Sequence, residues 1–327
     1  MRIAVIVPCY RVGAQILELL AGIGPEVALI FVVDDGCPEH SGDLVEKNCG
    51  DPRVTVIRHP QNRGVGAAMV TGYRAALEAD ADIVVKLDGD GQMDPQLIPV
   101  FVAPLAAGTA DYTKGNRFFD LALLESMPRL RLFGNALLSI VNKASSGYWN
   151  VMDPTNGYTA IHRAALARMP LAKLARDYFF ESDMLFRLYT LRAVVQDVPM
   201  RARYGNETSS LRIGRVLLEF PLRYAGAALK RVFYAYFLRD FNAGTLQLVP
   251  GVALIAGGGL YGLGRWIHST VTGIPASSGV VMLAALPVMI GVQLMLSWLH
   301  FDIQNIPTRP LSAAGSNPDP ALLRETA

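Results

Sequence analysis

No two cysteines in this chain sit at CxxC spacing, and none pairs with histidine at a metal-binding interval; the three present are Cys9, Cys37 and Cys49. That excludes a zinc ribbon and a disulfide framework, and an odd, unpatterned set suits a reducing compartment where cysteines act as small hydrophobes. Charge is scarce too. Asp, Glu, Lys and Arg make up 18% of the 327 residues while hydrophobic types make up 51%, against about a quarter charged in an ordinary soluble domain. A formal net charge of +2 removes the electrostatic case for a nucleic-acid partner. A signal-peptide pattern is also missing, because Met1-Arg2 leads into a short apolar run closed by Pro8, which reads as a buried strand.

What is present is an alternation. Apolar runs at Ile3–Val7, Val27–Val33, Val54–Ile57 and Ile83–Leu87 read as strands, with helical patterns over Gln15–Ile23 and Gly64–Ala79 between them. Strands apolar on both faces and separated by helices predict a parallel α/β sheet with covered faces. Further strands are expected at Asp111–Thr113, Gly157–Ile161 and Val194–Pro199, and helices over Pro128–Lys143 and Glu181–Leu191.

The last third changes character. From Leu211 to Arg239 arginines and lysines mix with Phe220, Tyr224, Phe233, Tyr234, Tyr236 and Phe237, the composition of a helix lying in a membrane interface. No charged residue occurs between Asp240 and Arg265, and none between Arg265 and Asp302. A bilayer core needs about 20 apolar residues per helix, so Leu246–Gly264 and Val280–Leu299 are the expected spans, with His268–Ser278 connecting them. Basic residues crowd before the first span, which by the positive-inside rule places the large domain and the tail in the cytoplasm. Gly257-Gly258-Gly259 is expected to let the two helices pack closely. The tail from Thr308, rich in Pro, Ala and Ser, is expected to be disordered. The resulting division is 1–210 catalytic domain, 211–242 interfacial helices, 243–303 two spans and 304–327 tail.

Ligands of such sheets bind beyond the carboxyl ends of the strands, and two acidic clusters lie there. Asp88, Asp90 and Gln92 follow the fourth strand; their oxygens suit a hard cation, Mg²⁺ or Mn²⁺, bridging a diphosphate. Asp94-Pro95 behind them reads as a helix cap and first helical position. Asp34-Asp35-Gly36 ends the second strand, where a carboxylate can accept from a base edge or ribose, or merely organise a turn. Asn62-Arg63-Gly64-Val65-Gly66 opens a helix, and its glycines serve either a phosphate or tight packing.

Val5-Ile6-Val7-Pro8-Cys9-Tyr10, Val33-Asp34-Asp35-Gly36, Asn62 through Ala67 and Asp88-Gly89-Asp90-Gly91-Gln92 succeed one another in an order that resembles glycosyltransferase family 2. Gly115-Asn116-Arg117 resembles that family's Gly-x-Arg element, and Phe180-Glu181-Ser182-Asp183-Met184-Leu185 its acidic helix start. With two C-terminal spans the chain is similar to the branch of dolichol-phosphate mannose synthases and undecaprenyl-phosphate glycosyltransferases, by motif over about 1–210 and by architecture beyond.

The resemblance implies a GT-A fold and inverting transfer of a hexose from a UDP- or GDP-sugar to a polyprenyl phosphate, by a multi-pass protein of the cell (inner) membrane. It assigns Pro8, Tyr10 and Asp35 to the nucleoside, Asp88, Asp90 and Gln92 to metal and diphosphate, and Arg117 to phosphate. Asp183 would lie on the acceptor side, orienting, electrostatic or as general base; as a first-turn acid it also favours the helix dipole. The partners implied are the nucleotide-sugar, the polyprenyl phosphate and the bilayer, with a homo-oligomer left open.

One element departs from the pattern. The branch carries Arg-x-x-Gly-x-Ser-Lys after its last strand, and here Arg201-Ala202-Arg203-Tyr204-Gly205 continues to Leu211 without a lysine. Arg201, Arg203 or Arg212 is left to grip the acceptor phosphate. A polysaccharide synthase is the neighbouring alternative, but its Gln-x-x-Arg-Trp element is replaced by Gly262 ahead of Arg265-Trp266. A non-enzymatic membrane scaffold would be expected to have lost Asp35, Asp88, Asp90 and Asp183. A nucleotidyltransferase would carry a glycine-rich basic loop after the first strand, which Pro8 to Gly13 does not match. Neither sugar nor base is legible from spacing.

Overall fold

The structure, a computed structural model, describes residues 1–13, 15–119, 129–201 and 213–313. Two compact units emerge: Met1–Ala228 with the residues from Pro307 onward, and Leu229–Ile306.

The first unit runs β1 (Ile3–Cys9), α1 (Gln15–Ala21), β2 (Val27–Asp34), α2 (Ser41–Asn48), β3 (Val54–Arg58), α3 (Val65–Glu78), β4 (Ile83–Lys86), α4 (Ile98–Ala106), β5 (Tyr112–Asn116), α5 (Arg129–Ser146), β6 (Thr159–His162), α6 (Arg163–Leu166), α7 (Phe180–Thr190) and β7 (Val195–Pro199). It ends within α8 (Ile213–Phe233). One seven-stranded sheet has the order β3-β2-β1-β4-β6-β5-β7. Every pairing is parallel except those of β6, which is antiparallel to both β4 and β5. The mostly parallel sheet expected from the alternation is therefore present.

Sequence explains the centre of the sheet directly. All seven residues of β1 are buried, as a strand covered on both faces must be. Each fully buried Val or Ile there contributes about 1.5–3 kcal/mol relative to exposure. α3 lies close because its inner face is small: Gly66, Ala67, Ala68, Gly72 and Ala76 are buried. A Cβ on Gly72 would stand 2.5 Å from Ile6 Cγ2, so this glycine sets the approach of helix to sheet. Asp94 caps a 3₁₀ turn, Pro95–Leu97, through Oδ1 to the Gln96 amide, and that turn feeds α4.

α8 is held on the first unit by aromatic packing. Phe179 meets Phe220 and Tyr224 with ring centroids 5.5 and 5.0 Å apart, and Tyr224 shares a 2.8 Å hydrogen bond with Ser182 of α7. At the other end of the chain, the Leu311 and Ser312 amides donate to fully buried Asp111, whose carboxylate also accepts from Val194. Of the tail expected to be disordered, residues 314–327 lie outside the described residues.

In the second unit a π-helical turn, Tyr234–Leu238, precedes α9 (Ala243–Thr272) and α10 (Ser278–Gln304). Asn242 and Ser277 cap them, and Gly273 in the left-handed region (φ 70°) ends α9. At 30 and 27 residues and about 1.5 Å per residue, both exceed a bilayer core of about 30 Å. Each is long and apolar enough to cross a membrane, and Leu246, Leu260, Trp266, Leu283, Met289 and Leu296 point outward exposed, an apolar surface suited to lipid rather than water. The helices meet through glycine, though not through the whole triplet. A Cβ on Gly258 would lie 2.9 Å from Ala284 O and one on Gly291 2.8 Å from Gly251 O, whereas Gly257 and Gly259 face open space. On α9 the packing seam thus runs through Gly251, Gly258 and Gly262, of which only Gly258 lies in the triplet.

Candidate active site

β4 ends on Lys86, and the turn that follows carries Asp88, Gly89 and Asp90 against the end of β1. Leu87 N donates to Ile6 O, and a Cβ on Gly89 would be 3.3 Å from Pro8 O. The two expected carboxylates and Pro8 are therefore neighbours, with Pro8 buried in β1 and Tyr10 beyond it 39% exposed. Asp90 Oδ1 accepts the Gln92 amide at 3.0 Å, tying the third expected ligand to the second.

Among the described residues no three His, Cys, Asp or Glu gather in metal-holding geometry. Asp88 and Asp90 supply hard oxygen donors for part of a shell only. That fits Mg²⁺ or Mn²⁺, which such sites bind through one or two carboxylates while a diphosphate provides further oxygens.

Sequence reasoning missed what lies beneath Asp88. The Lys86 side chain, 1% exposed, holds Asp88 Oδ1 at 2.8 Å and Glu181 Oε1 at 3.1 Å. Burial works against its charge, but the two carboxylates raise its pKa above the ordinary lysine range. A lysine inside an apolar strand gives no motif, so only the fold reveals it. Over the pair passes Gly157, where a Cβ would stand 2.3 Å from Asp88 Oδ2 and 2.6 Å from Lys86 Nζ. Any larger residue there would have to push the Lys86 and Asp88 side chains aside.

The turn containing Gly157 organises the remaining cations. Lys114 of β5 is fully buried and donates to Asn156 O; burial pulls its ammonium down to about 8. Arg117 donates to both oxygens of fully buried Asp153, through Nε at 2.7 Å and Nη2 at 3.0 Å. Asp153-Pro154-Thr155-Asn156-Gly157 is thus a second site segment that sequence reading left unassigned. Its signal was there in retrospect, since Asp-Pro and Asn-Gly are turn dipeptides just before a strand.

The acidic turn after β2 is occupied by its own chain. Asp34 accepts the Cys37 and Gly42 amides at 2.8 Å each. Asp35, 3% exposed, accepts the Arg63 and Gly64 amides and meets His59 Nδ1 at 2.6 Å. Gly64 (φ 93°) and Gly66 pack against the Arg176 and Ala175 carbonyls, and Gly66 N donates to Arg176 O. Of the two readings open for this glycine loop, its geometry is that of tight packing.

Asp183 is held by its own loop and helix. Its Oδ2 accepts the Ala175 amide at 2.8 Å and Arg187 Nε at 2.9 Å. It borders an open cavity of about 420 Å³, whose lining also includes Arg63, Lys173, Arg176 and Arg223. Arg201 lies exposed just after β7. Arg203 and Arg212 lie outside the described residues.

Comparison with known proteins fits this geometry. The model of the family "Glycosyl transferase family 2" matches residues 4–169. The chain belongs to that family. Within it, the chain is 28% identical over 242 residues to a UDP-N-acetylglucosamine–dolichyl-phosphate N-acetylglucosaminyltransferase of Methanococcus voltae, covering 70% of this chain and 96% of that protein. It is 30% identical over 205 residues to an undecaprenyl-phosphate mannosyltransferase of Micrococcus luteus, covering 61% and 83%. Among solved structures, glucosyl-3-phosphoglycerate synthase from Mycobacterium tuberculosis, in complex with Mn²⁺, UDP and glucosyl-3-phosphoglycerate, superposes with TM-score 0.52 at 20% identity over 70% of this chain and 79% of that one. At that identity the likeness shows the fold, which is GT-A. The chain is a family 2 glycosyltransferase with two apolar C-terminal helices.

Proposed function

We propose that the protein is an inverting, metal-dependent hexosyltransferase that moves a sugar from a UDP- or GDP-sugar to a polyprenyl phosphate at the cytoplasmic face of the cell membrane. The observation that carries this reading is one chain holding both the Asp88–Asp90 turn beside Pro8 and two helices long and apolar enough to span a bilayer. Relatives named for dolichyl- and undecaprenyl-phosphate transfer support the acceptor class.

On this reading the nucleoside rests against Pro8 and Tyr10, beside the loop that Asp35 fixes by holding the Arg63 and Gly64 amides. Asp88, Asp90 and Gln92 would hold Mg²⁺ or Mn²⁺. When bound, the ion neutralises charge developing on the departing nucleoside diphosphate. Arg117, oriented by Asp153, meets phosphate as a planar cation. The acceptor needs little activation, since a phosphate monoester with a second pKa of about 6 is already an anion at neutral pH. Positioning then dominates, and Asp183 acts by setting the 173–177 loop on the acceptor side. Arg201, Arg203 or Arg212 grips the acceptor phosphate.

The test is transfer itself. Detergent-purified full-length protein is incubated with undecaprenyl phosphate, Mg²⁺ or Mn²⁺ and a panel of UDP- and GDP-sugars, and lipid products are weighed by mass spectrometry. The expected product is a lipid monophosphate carrying one hexose, formed from one donor and lost in Asp90→Ala. Transfer to a soluble acceptor with none to the lipid would sink the reading.

A further inference from the structure

Lys86 is an unusual residue for the place it occupies. It ends a four-residue strand whose other members are Ile83, Val84 and Val85, all buried, and its ammonium reaches into the acidic site from below. One positive charge there meets Asp88 at 2.8 Å and Glu181 at 3.1 Å. Asp90 stands two residues past Asp88, so three carboxylates and one ammonium leave a local charge of about −2 in place of −3. Gly157 lies over both Lys86 Nζ and Asp88 Oδ2, where a Cβ would press on the pair.

We propose that Lys86 is a positioning residue that acts as a resident counter-cation, occupying Asp88 Oδ1 so that the site binds a divalent ion well only together with a nucleotide diphosphate. The inference rests on the metal-dependent reading above. With Oδ1 taken, Asp88 offers a metal one oxygen, and the ammonium repels a bare dication at close range. A diphosphate supplies both the missing ligands and the missing negative charge, so metal and nucleotide enter as a pair. Glu181 shares the lysine and tempers its hold on Asp88, which links the acidic start of α7 to the metal turn after β4.

The probe is Mn²⁺ binding to full-length protein in detergent, followed by electron paramagnetic resonance with and without UDP. Lys86→Met is expected to bind Mn²⁺ without UDP on the order of tenfold more tightly than wild type, because charge repulsion and competition for Oδ1 both vanish. Lys86→Arg, which keeps the charge, is expected to bind it as weakly as wild type. Glu181→Gln is expected to move the other way, weakening Mn²⁺ binding with UDP severalfold, since Lys86 then bears wholly on Asp88. A purely structural role for Lys86 would weaken binding, not tighten it. Unchanged or weaker bare-metal affinity in Lys86→Met overturns the inference. Should that variant not fold, Glu181→Gln decides: weakened binding supports the inference, unchanged binding overturns it. Wild type that binds UDP but no Mn²⁺ in either condition removes the metal-dependent reading itself, and the inference with it.

Discussion

Glu181 and Asp183 stand two residues apart in the first turn of α7, yet they serve opposite sides of it. Glu181 Oε1 accepts from Lys86 Nζ, and Asp183 Oδ2 accepts from the Ala175 amide and Arg187. Two positions on an α-helix are about 200° apart, so a helix that aims one acid at the strand ends must aim the other away. A motif records that both acids are present. Only the helix's rotation decides which reaches the turn after β4.

The two acids should therefore fail differently. Glu181→Gln leaves the buried Lys86 paired with Asp88 alone and is expected to raise severalfold the Mn²⁺ concentration needed for half-maximal transfer. Asp183→Asn weakens the anchor of the 173–177 loop and is expected to lower stability by about 1–3 kcal/mol, the cost of a compromised buried hydrogen-bond acceptor. Paired kinetics and thermal unfolding on both variants check this. A kcat loss in Asp183→Asn at unchanged stability would give Asp183 a direct part in catalysis.

Arg117 is held by two parallel hydrogen bonds to Asp153, a geometry that lysine, a point charge on a flexible stem, does not reproduce. Arg117→Lys is expected to lower kcat/KM for the nucleotide-sugar by about a hundredfold, within the range for loss of an electrostatic stabiliser. Steady-state kinetics at saturating acceptor would measure it. A change confined to melting temperature would show that the Arg117–Asp153 pair only braces the turn.

Much of this fold was legible because burial leaves a mark on composition. β1 is a continuous apolar run, β2 and β4 are apolar up to their last residues, and the acids at their ends mark the ligand edge. β6 was harder. Its antiparallel direction, between β4 and β5, has no signature in four residues, because orientation is a property of topology rather than of side chains. The candidate site divides in the same way. Asp88, Asp90 and Arg117 could be read because turns carry motifs, whereas Lys86 and Glu181 are joined across 95 residues of chain, and Lys114 to Asn156 across 42, only by folding. Asp35 was read as a carboxylate at a strand end, and which donors it would meet depended on the approach of the 62–64 loop.

Asp197 offers a pH test of the layer beneath the site. Burial pushes its carboxyl up to about 6, and among the described residues buried Oδ1 has no hydrogen-bond partner. Between an unfolded value of about 3.9 and this raised one, the native state holds a proton that the unfolded state has released. Stability is lost as pH rises through that window and stays lost above it. Asp197→Asn mimics the protonated form, so the wild type should fall by about 2 kcal/mol relative to the variant between pH 4 and pH 6.5. Denaturant unfolding across that range checks it; a constant difference would mean that Asp197 is ionised throughout.

In the second unit Asp302 accepts from Arg231 Nη1 at 2.6 Å and Nη2 at 3.1 Å and from the Tyr236 hydroxyl, all within a buried environment. This ties the end of α10 back to the end of α8 and the π turn. Removing one member of a buried ion pair strands the other charge, which costs about 3–5 kcal/mol, whereas replacing both by apolar residues is often neutral. Asp302→Leu and Arg231→Met are each expected to destabilise the protein in detergent by that amount, and the double variant to recover most of the loss. Unfolding midpoints of the three variants form a double-mutant cycle. Losses that simply add would show that the two residues act independently, and Tyr236 and the glycine seam would then carry the attachment of the hairpin.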